Sequence, residues 1–195
     1  MAIIAWESYK TEKKTAVQVE RLKDCPKQID LLLVKKDLDS SYTGTLSTRT
    51  KDRIIEGLDS ASREFRVPVM FLHALSQVES NYQFNVDHPL VTVDFKGKKV
   101  QTRARGLNGI IWLFWADSLI ANHIAEVESD LYIPFVNIRA SAFIIRTLIN
   151  QEKGGDVITR VTTRYFGAYS KTYETKMRNA TSKLWMEQIE REMEK

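Results

Sequence analysis

Glu79 ends the run Phe71-Leu-His-Ala-Leu-Ser-Gln-Val-Glu79, and its carboxyl falls where an apolar side chain belongs. At about 100° per residue it lies about 700° beyond Leu72, within about 20° of the same direction after two turns. Val69, Leu75 and Ser76 flank that direction. A carboxyl group aimed at a core is neutralised, paired or put to use. Apolar neighbours desolvate its anion, and the C-terminal end of a helix opposes negative charge, so both raise its pKa. An acid that keeps its proton near neutral pH can serve as a general acid. The plainer alternative is a glutamate that frays into solvent at its helix end.

Few other residues offer chemistry. His73, His88 and His123 show no metal-ligand spacing, and Cys25 is the only cysteine. Neither a zinc site nor an internal disulfide is therefore expected. No glycine loop suits a phosphate, so the expectation is no metal and no cofactor. Trp112, Trp115, Phe71 and Phe114 lie in apolar surroundings, which favours core packing over stacking on sugars.

The elements that must position Glu79 read as helices. Hydrophobic residues make up 43% of the 195 residues, and glycine (8) and proline (4) are sparse, so a packed core with long helices is expected. Thr15 to Asp24 and Lys27 to Leu38 have helical spacing broken by Pro26, and Asp39-Ser-Ser-Tyr-Thr-Gly-Thr45 reads as a linker. Residues 1–47 are thus expected to form a helical arm. Ile54, Leu58, Ala61 and Phe65 then recur at spacings of 4, 3 and 4, with Ser47 or Thr48 as N-cap and Arg66-Val-Pro68 as the break. Pro68 suits the first turn of the Glu79 helix.

Between Tyr82 and Arg105 helical periodicity stops. Val91-Thr-Val-Asp-Phe95, Lys96-Gly97 and Lys98-Lys-Val-Gln-Thr102 predict a β-hairpin. Ile110 to Ile124, apolar on nearly every side at its start, predicts a helix buried on several faces. A helix from Pro134 carries Ile138, Ala142, Ile145 and Ile149, again 4, 3 and 4 apart, with Arg139 and Arg146 off the stripe. Asp156 to Tyr165 and Lys171 onward complete a mainly α chain with one small β excursion.

The order of short motifs resembles the soluble (SLT-type) lytic transglycosylases, which are related in fold to goose-type lysozyme. Ser62-Arg-Glu-Phe-Arg-Val67 is similar to the turn before the catalytic helix, and Leu75-Ser-Gln-Val-Glu-Ser-Asn81 to the Glu-Ser motif. Ala104-Arg-Gly-Leu107 resembles the start of the Gly-Leu-Met-Gln motif, Val136-Asn-Ile-Arg-Ala140 the Asn-Ile helix, and Arg164-Tyr-Phe-Gly167 the Tyr-Asn-Ala-Gly segment, with Tyr173 beyond it.

The resemblance implies a lysozyme-like helical domain over 48–187, with the hairpin as an insertion and 188–195 as a tail. It implies a peptidoglycan lytic transglycosylase. Glu79 would act as general acid and then base, and the product would be a 1,6-anhydro ring with no second carboxylate required. It implies Tyr165 near Glu79 as a catalytic partner. Ser80, Gly106, Asn108 and Asn137 would lie toward substrate, although Asn137 suits bracing of loops and Ser80 suits helix-end hydrogen bonding.

Two positions depart from the family. Asn108-Gly109 replaces its Met-Gln, so Asn108 either supplies the lost sugar contact or forms a plain turn. Phe166 replaces the Asn after the tyrosine, removing a polar contact. The stretch from Glu79 to Gly106 is longer than usual and holds Lys96, Lys98, Lys99, Arg103 and Arg105, a basic flap for stem carboxylates or a solvated hairpin. Asp87 and Asp94 also lie in it. If either reached the cleft, a water-activating, lysozyme-like reaction would become possible.

The net charge of +4 and pI near 9.1 suit an anionic partner, but no nucleic-acid signature accompanies them. The start Met-Ala-Ile-Ile-Ala-Trp-Glu turns polar too soon for a secretory signal, and Ile110–Ala116 is too short to span a bilayer. The expectation is a protein made in the cytoplasm, without a membrane span. It would be a phage virion component of the tail or baseplate, or an ejected one, acting in the periplasm or cell wall and joined to other virion or secretion-machine proteins through residues 1–47. The competing expectations are a structural virion or secretion-apparatus protein with a degenerate lysozyme-like fold, and a goose-type hydrolase.

Overall fold

The computed structural model describes residues 31–41, 46–151, 156–167 and 170–193. These form α1 (Leu31–Ser41), α2 (Thr48–Phe65), α3 (Val69–Ser80), β1 (Val91–Phe95), β2 (Lys98–Thr102) and α4 (Trp112–Ala121). A 3₁₀ turn (Glu128–Tyr132), α5 (Pro134–Gln151), α6 (Val157–Phe166) and α7 (Lys171–Met193) follow. The chain is mainly helical, with one two-stranded antiparallel sheet.

Local chemistry sets the boundaries. The Ser47 hydroxyl accepts from the Thr50 amide and caps α2. Arg66, in the left-handed region at φ 52°, ends that helix, and Pro68 caps α3 rather than joining its first turn. Asp156 accepts from the Thr159 amide to start α6. In the hairpin Val91 pairs with Thr102 and Phe95 with Lys98. Lys96 and Gly97 both take positive φ, 53° and 77°, as a two-residue turn with this strand twist requires.

The core is built where the apolar stripes meet. Ile54, Leu58 and Ala61 of α2 face Ile138, Ala142 and Ile145 of α5, all buried. Gly57 lets these helices close up, because a Cβ there would lie 3.3 Å from Ile138 Cδ1. Arg139 forks onto the Glu64 carboxylate at 2.9 and 2.8 Å, and Arg146 donates to the carbonyls of Phe65 and Arg66 at the end of α2. The other large contact joins α3 to α7.

Three expectations change. The described part of the expected arm, α1, is not separate: Leu33, Val34 and Leu38 are buried in the common core. Burying such side chains contributes roughly 1.5–3 kcal/mol each, too much for a detachable element. Asp37 is buried as well; one carboxylate oxygen lies 2.9 Å from His73 Nε2 and the other pairs with Lys183 Nζ. Burial pushes the Asp37 pKa up, but the hydrogen bonds from His73 and Lys183 outweigh it and hold the carboxylate ionised. Tyr82, fully buried, completes the network with its hydroxyl 2.5 Å from His73 Nδ1. Of the expected linker, 39–41 is helix and 42–45 lies outside the described residues. Cys25 and the expected helix at 15–24 also lie outside them.

Second, the 110–124 helix is shorter than expected and lies at the surface. It spans Trp112–Ala121, only Leu119 is fully buried, and Phe114 and Ile120 are exposed. Trp112 and Trp115 pack on the core in part. Phe114 instead meets Phe95 of the hairpin edge-on, centroids 5.8 Å apart. Third, α7 continues to Met193, so the boundary between domain and tail at 187 and 188 falls inside a helix. No helix among the described residues is long and apolar enough to cross a membrane.

Candidate active site

Glu79 occupies the last turn of α3. Asn81 and Tyr82 follow at φ 49° and 64°, and their amides return to Gln77 O (3.0 Å) and Ser76 O (3.2 Å). This double left-handed exit turns the chain away and leaves Glu79 partly buried. From α7, the Tyr173 hydroxyl donates to Glu79 Oε1 at 2.5 Å. Burial lifts the Glu79 pKa to about 7, against the opposing pull of the Tyr173 hydrogen bond. Burial, and then the charge and hydrogen bond of Glu79, push the Tyr173 phenol upward, so it stays a donor. With Oε1 engaged, a proton held by the acid belongs on Oε2.

Oε2 faces a turn closed by paired backbone hydrogen bonds between Arg105 and Ile110, at 2.8 and 3.1 Å. Gly109 stands against the acid. At φ 61° it favours glycine, and a Cβ on it would lie 2.8 Å from Oε2 and 3.3 Å from His88 Cε1. With no side chain, Gly109 avoids that clash and sits against the second oxygen. His88 Nε2–H donates to Gly106 O at 3.1 Å and holds the imidazole beside the same glycine.

Asn108, at the tip of this turn, is fully buried. Its Oδ1 accepts from Ser76 Oγ (2.7 Å), its Nδ2 donates to Ser141 Oγ (2.6 Å), and its amide donates to Asn137 Oδ1 (2.8 Å). The substrate contact expected of Asn108 gives way to an internal tie between α3, the turn and α5. Asn137 is also fully buried, and its Nδ2 donates to Leu131 O and Arg105 O. It braces loops and has no exposed surface of its own. Gly106, at φ 68°, is excluded from any other residue type because a Cβ would meet Leu131 O at 2.0 Å. Ser80 Oγ donates to Ser76 O at 3.3 Å, the helix-end alternative.

Tyr165 does not touch the carboxyl. Its hydroxyl donates to Asn108 O at 2.8 Å, so it holds the turn that faces Glu79. Burial, and then the nearby charge of Glu79, raise its pKa. The hydroxyl that engages the acid is that of Tyr173, which the residue types alone did not single out. A signal for it exists: Tyr173, Met177, Ala180 and Leu184 recur at 4, 3 and 4, so Tyr173 belongs to the buried stripe of α7. Phe166 stacks on Tyr173, with centroids 4.6 Å apart and planes at 23°. Gly109 and His88 were equally silent, because only the folded turn brings them to the acid.

Neither insertion aspartate approaches Glu79. Asp87 binds Arg105 at 2.7 Å, Arg103 at 3.4 Å and the Tyr132 hydroxyl. The Tyr132 hydrogen bond, against a small burial penalty and with the help of both arginines, lowers its pKa. Asp94 caps the Gly97 amide and pairs with Lys99 within the hairpin. Arg103 and Arg105 are thereby committed to the hairpin base, leaving Lys96, Lys98 and Lys99 toward the exposed tip. Among the described residues, no group of three or more His, Cys, Asp or Glu could hold a metal ion. Comparison with known proteins finds no matching family model, no matching curated protein and no matching solved structure.

Proposed function

We propose that the chain cleaves the β-1,4 bond between N-acetylmuramic acid and N-acetylglucosamine in peptidoglycan as a lytic transglycosylase, with Glu79 as the single acid and base. The observation that carries this reading is the asymmetry of the Glu79 carboxyl. Burial lifts its pKa to about 7, one oxygen is held by Tyr173, and the other lies against the bare Cα of Gly109. With a pKa of about 7, roughly half of such groups hold a proton at neutral pH, on a defined atom.

In this reading Oε2–H protonates the glycosidic oxygen, and the bond from it to the muramic acid C1 breaks. The Tyr173 hydroxyl stabilises the resulting carboxylate. Oε2 then takes the proton of the muramic acid C6 hydroxyl as that oxygen bonds to C1, closing the 1,6-anhydro ring and restoring the acid. Among the described residues no second carboxylate perturbs Glu79, and Asp87 and Asp94 are engaged elsewhere, which supports a one-acid mechanism over hydrolysis. The ordered motifs from residue 62 to residue 167 support the lysozyme-like assignment of this helical domain.

Digestion of purified sacculi, with mass analysis of the released fragments, tests it. Anhydro ends, lighter by one water, and their loss in Glu79→Gln are the expected result. Ordinary reducing ends would replace the proposal with a goose-type hydrolase. No release from the wild-type chain would replace it with a structural protein on a degenerate lysozyme-like scaffold.

A further inference from the structure

Phe166 ends α6 next to the left-handed cap Gly167 (φ 84°) and is 51% exposed. A large apolar ring left that open to water forgoes much of its burial free energy. Its position is not arbitrary. It stacks on Tyr173, whose hydroxyl holds the Glu79 carboxyl, so an exposed aromatic face begins one residue away from the acid. Tyr173 itself is 8% exposed and fixed at both ends, by the Glu79 hydrogen bond and by the core packing of α7. That rigidity fixes how Phe166 is presented.

An aromatic face next to an acid suits a ligand with one apolar C–H face and a polar rim, which describes a β-linked pyranose ring. We propose that Phe166, backed by Tyr173, is a stacking platform for one sugar ring next to the bond that Glu79 protonates. It replaces a hydrogen-bonding contact with ring stacking at a position where the resembling family carries Asn. The inference rests on the glycan-cleaving reading and deepens it by naming the chemistry of one subsite. Phe166 contributes affinity and ring orientation, and the acid does the bond breaking.

The test measures binding and cleavage separately. Affinity for soluble, peptide-free β-1,4 N-acetylglucosamine oligomers is measured by calorimetry on the full chain carrying Glu79→Gln, so that no turnover intervenes. Adding Phe166→Ala weakens binding about tenfold, a stacking contact of about 1.4 kcal/mol. Phe166→Trp restores it, and Phe166→Asn does not. Phe135→Ala, which removes another exposed ring, one packed beside Gly57 of α2, leaves affinity unchanged. Thermal melting of each variant separates lost stacking from lost folding. In otherwise wild-type chains, Phe166→Ala raises KM on solubilised glycan strands more than it lowers kcat. Equal affinity with and without the Phe166 ring in a chain that digests sacculi overturns the platform and leaves the proposed activity standing. Phe166-dependent binding with no digestion leaves the platform standing and overturns the activity. No measurable binding to oligomers or glycan strands overturns the platform.

Discussion

Replacing Glu79 by Gln stabilises the protein, and by an amount that depends on pH. The Glu79 pKa is about 7 in the folded chain against an ordinary 4.5, so the folded state binds its proton more tightly than the unfolded state does. Below pH 4.5 the carboxyl is protonated in both states and costs nothing. Between 4.5 and about 7 the unfolded chain ionises first, so folding stability falls as pH rises. Above 7 the whole cost is present. Moving the pKa from 4.5 to about 7 amounts to roughly 3 kcal/mol. Glutamine keeps an acceptor for Tyr173 and never ionises. Urea denaturation followed by tryptophan fluorescence should therefore find Glu79→Gln equal to the wild type near pH 4. At pH 8 it should be more stable by roughly 3 kcal/mol, while sacculus digestion is lost. An unfolding difference that stays flat from pH 4 to 8 would show that Glu79 titrates as an ordinary glutamate, and the argument for a stored proton would fail.

Gly109→Ala places a methyl 2.8 Å from Glu79 Oε2 and forces alanine to φ 61°, so digestion of sacculi falls at least tenfold and stability by roughly 1 kcal/mol. Gly97→Ala, with a similar φ but nothing within 4 Å of its Cβ, is the control and keeps the activity; wild-type turnover in Gly109→Ala would refute the claim that Oε2 needs this glycine. Asp37→Asn weakens the pairing to Lys183 and leaves His73 with a neutral partner. Because Lys183 is half exposed, the loss should sit at the low end of that for a broken buried pair, about 3 kcal/mol in urea denaturation. Deleting residues 1–41 should abolish the cooperative melting transition, and a chain that still melts cooperatively without them would show that α1 is dispensable.

The helices and the hairpin were legible because their signals are local. Stripes at spacings of 4, 3 and 4 marked the faces of α2 and α5, and Lys96-Gly97 marked a turn with two positive φ values. Glu79 was legible for the same reason, as an acid on an apolar stripe. What surrounds it was not. Nothing local ties Asp37 to Lys183 across 146 positions, so α1 read as an arm when it is core. Residue type does not say which way Asn108 points, and inward was the answer, since four hydrogen bonds converge on that one residue. Phe114 read as buried because apolarity ranks preference for the interior, whereas the interior has limited area and α4 lies at its edge.

The base of the hairpin is stapled independently of its tip. Arg105 binds both Asp87 and Glu128, the His88 amide donates to Ala104 O, and the Gly106 amide donates to Val86 O. Everything the acid needs from this excursion therefore enters at residues 86–88 and leaves at 104–106. None of the contacts described for Glu79 comes from the ribbon between those staples, so the length and sequence of that ribbon are set apart from the geometry around the carboxyl.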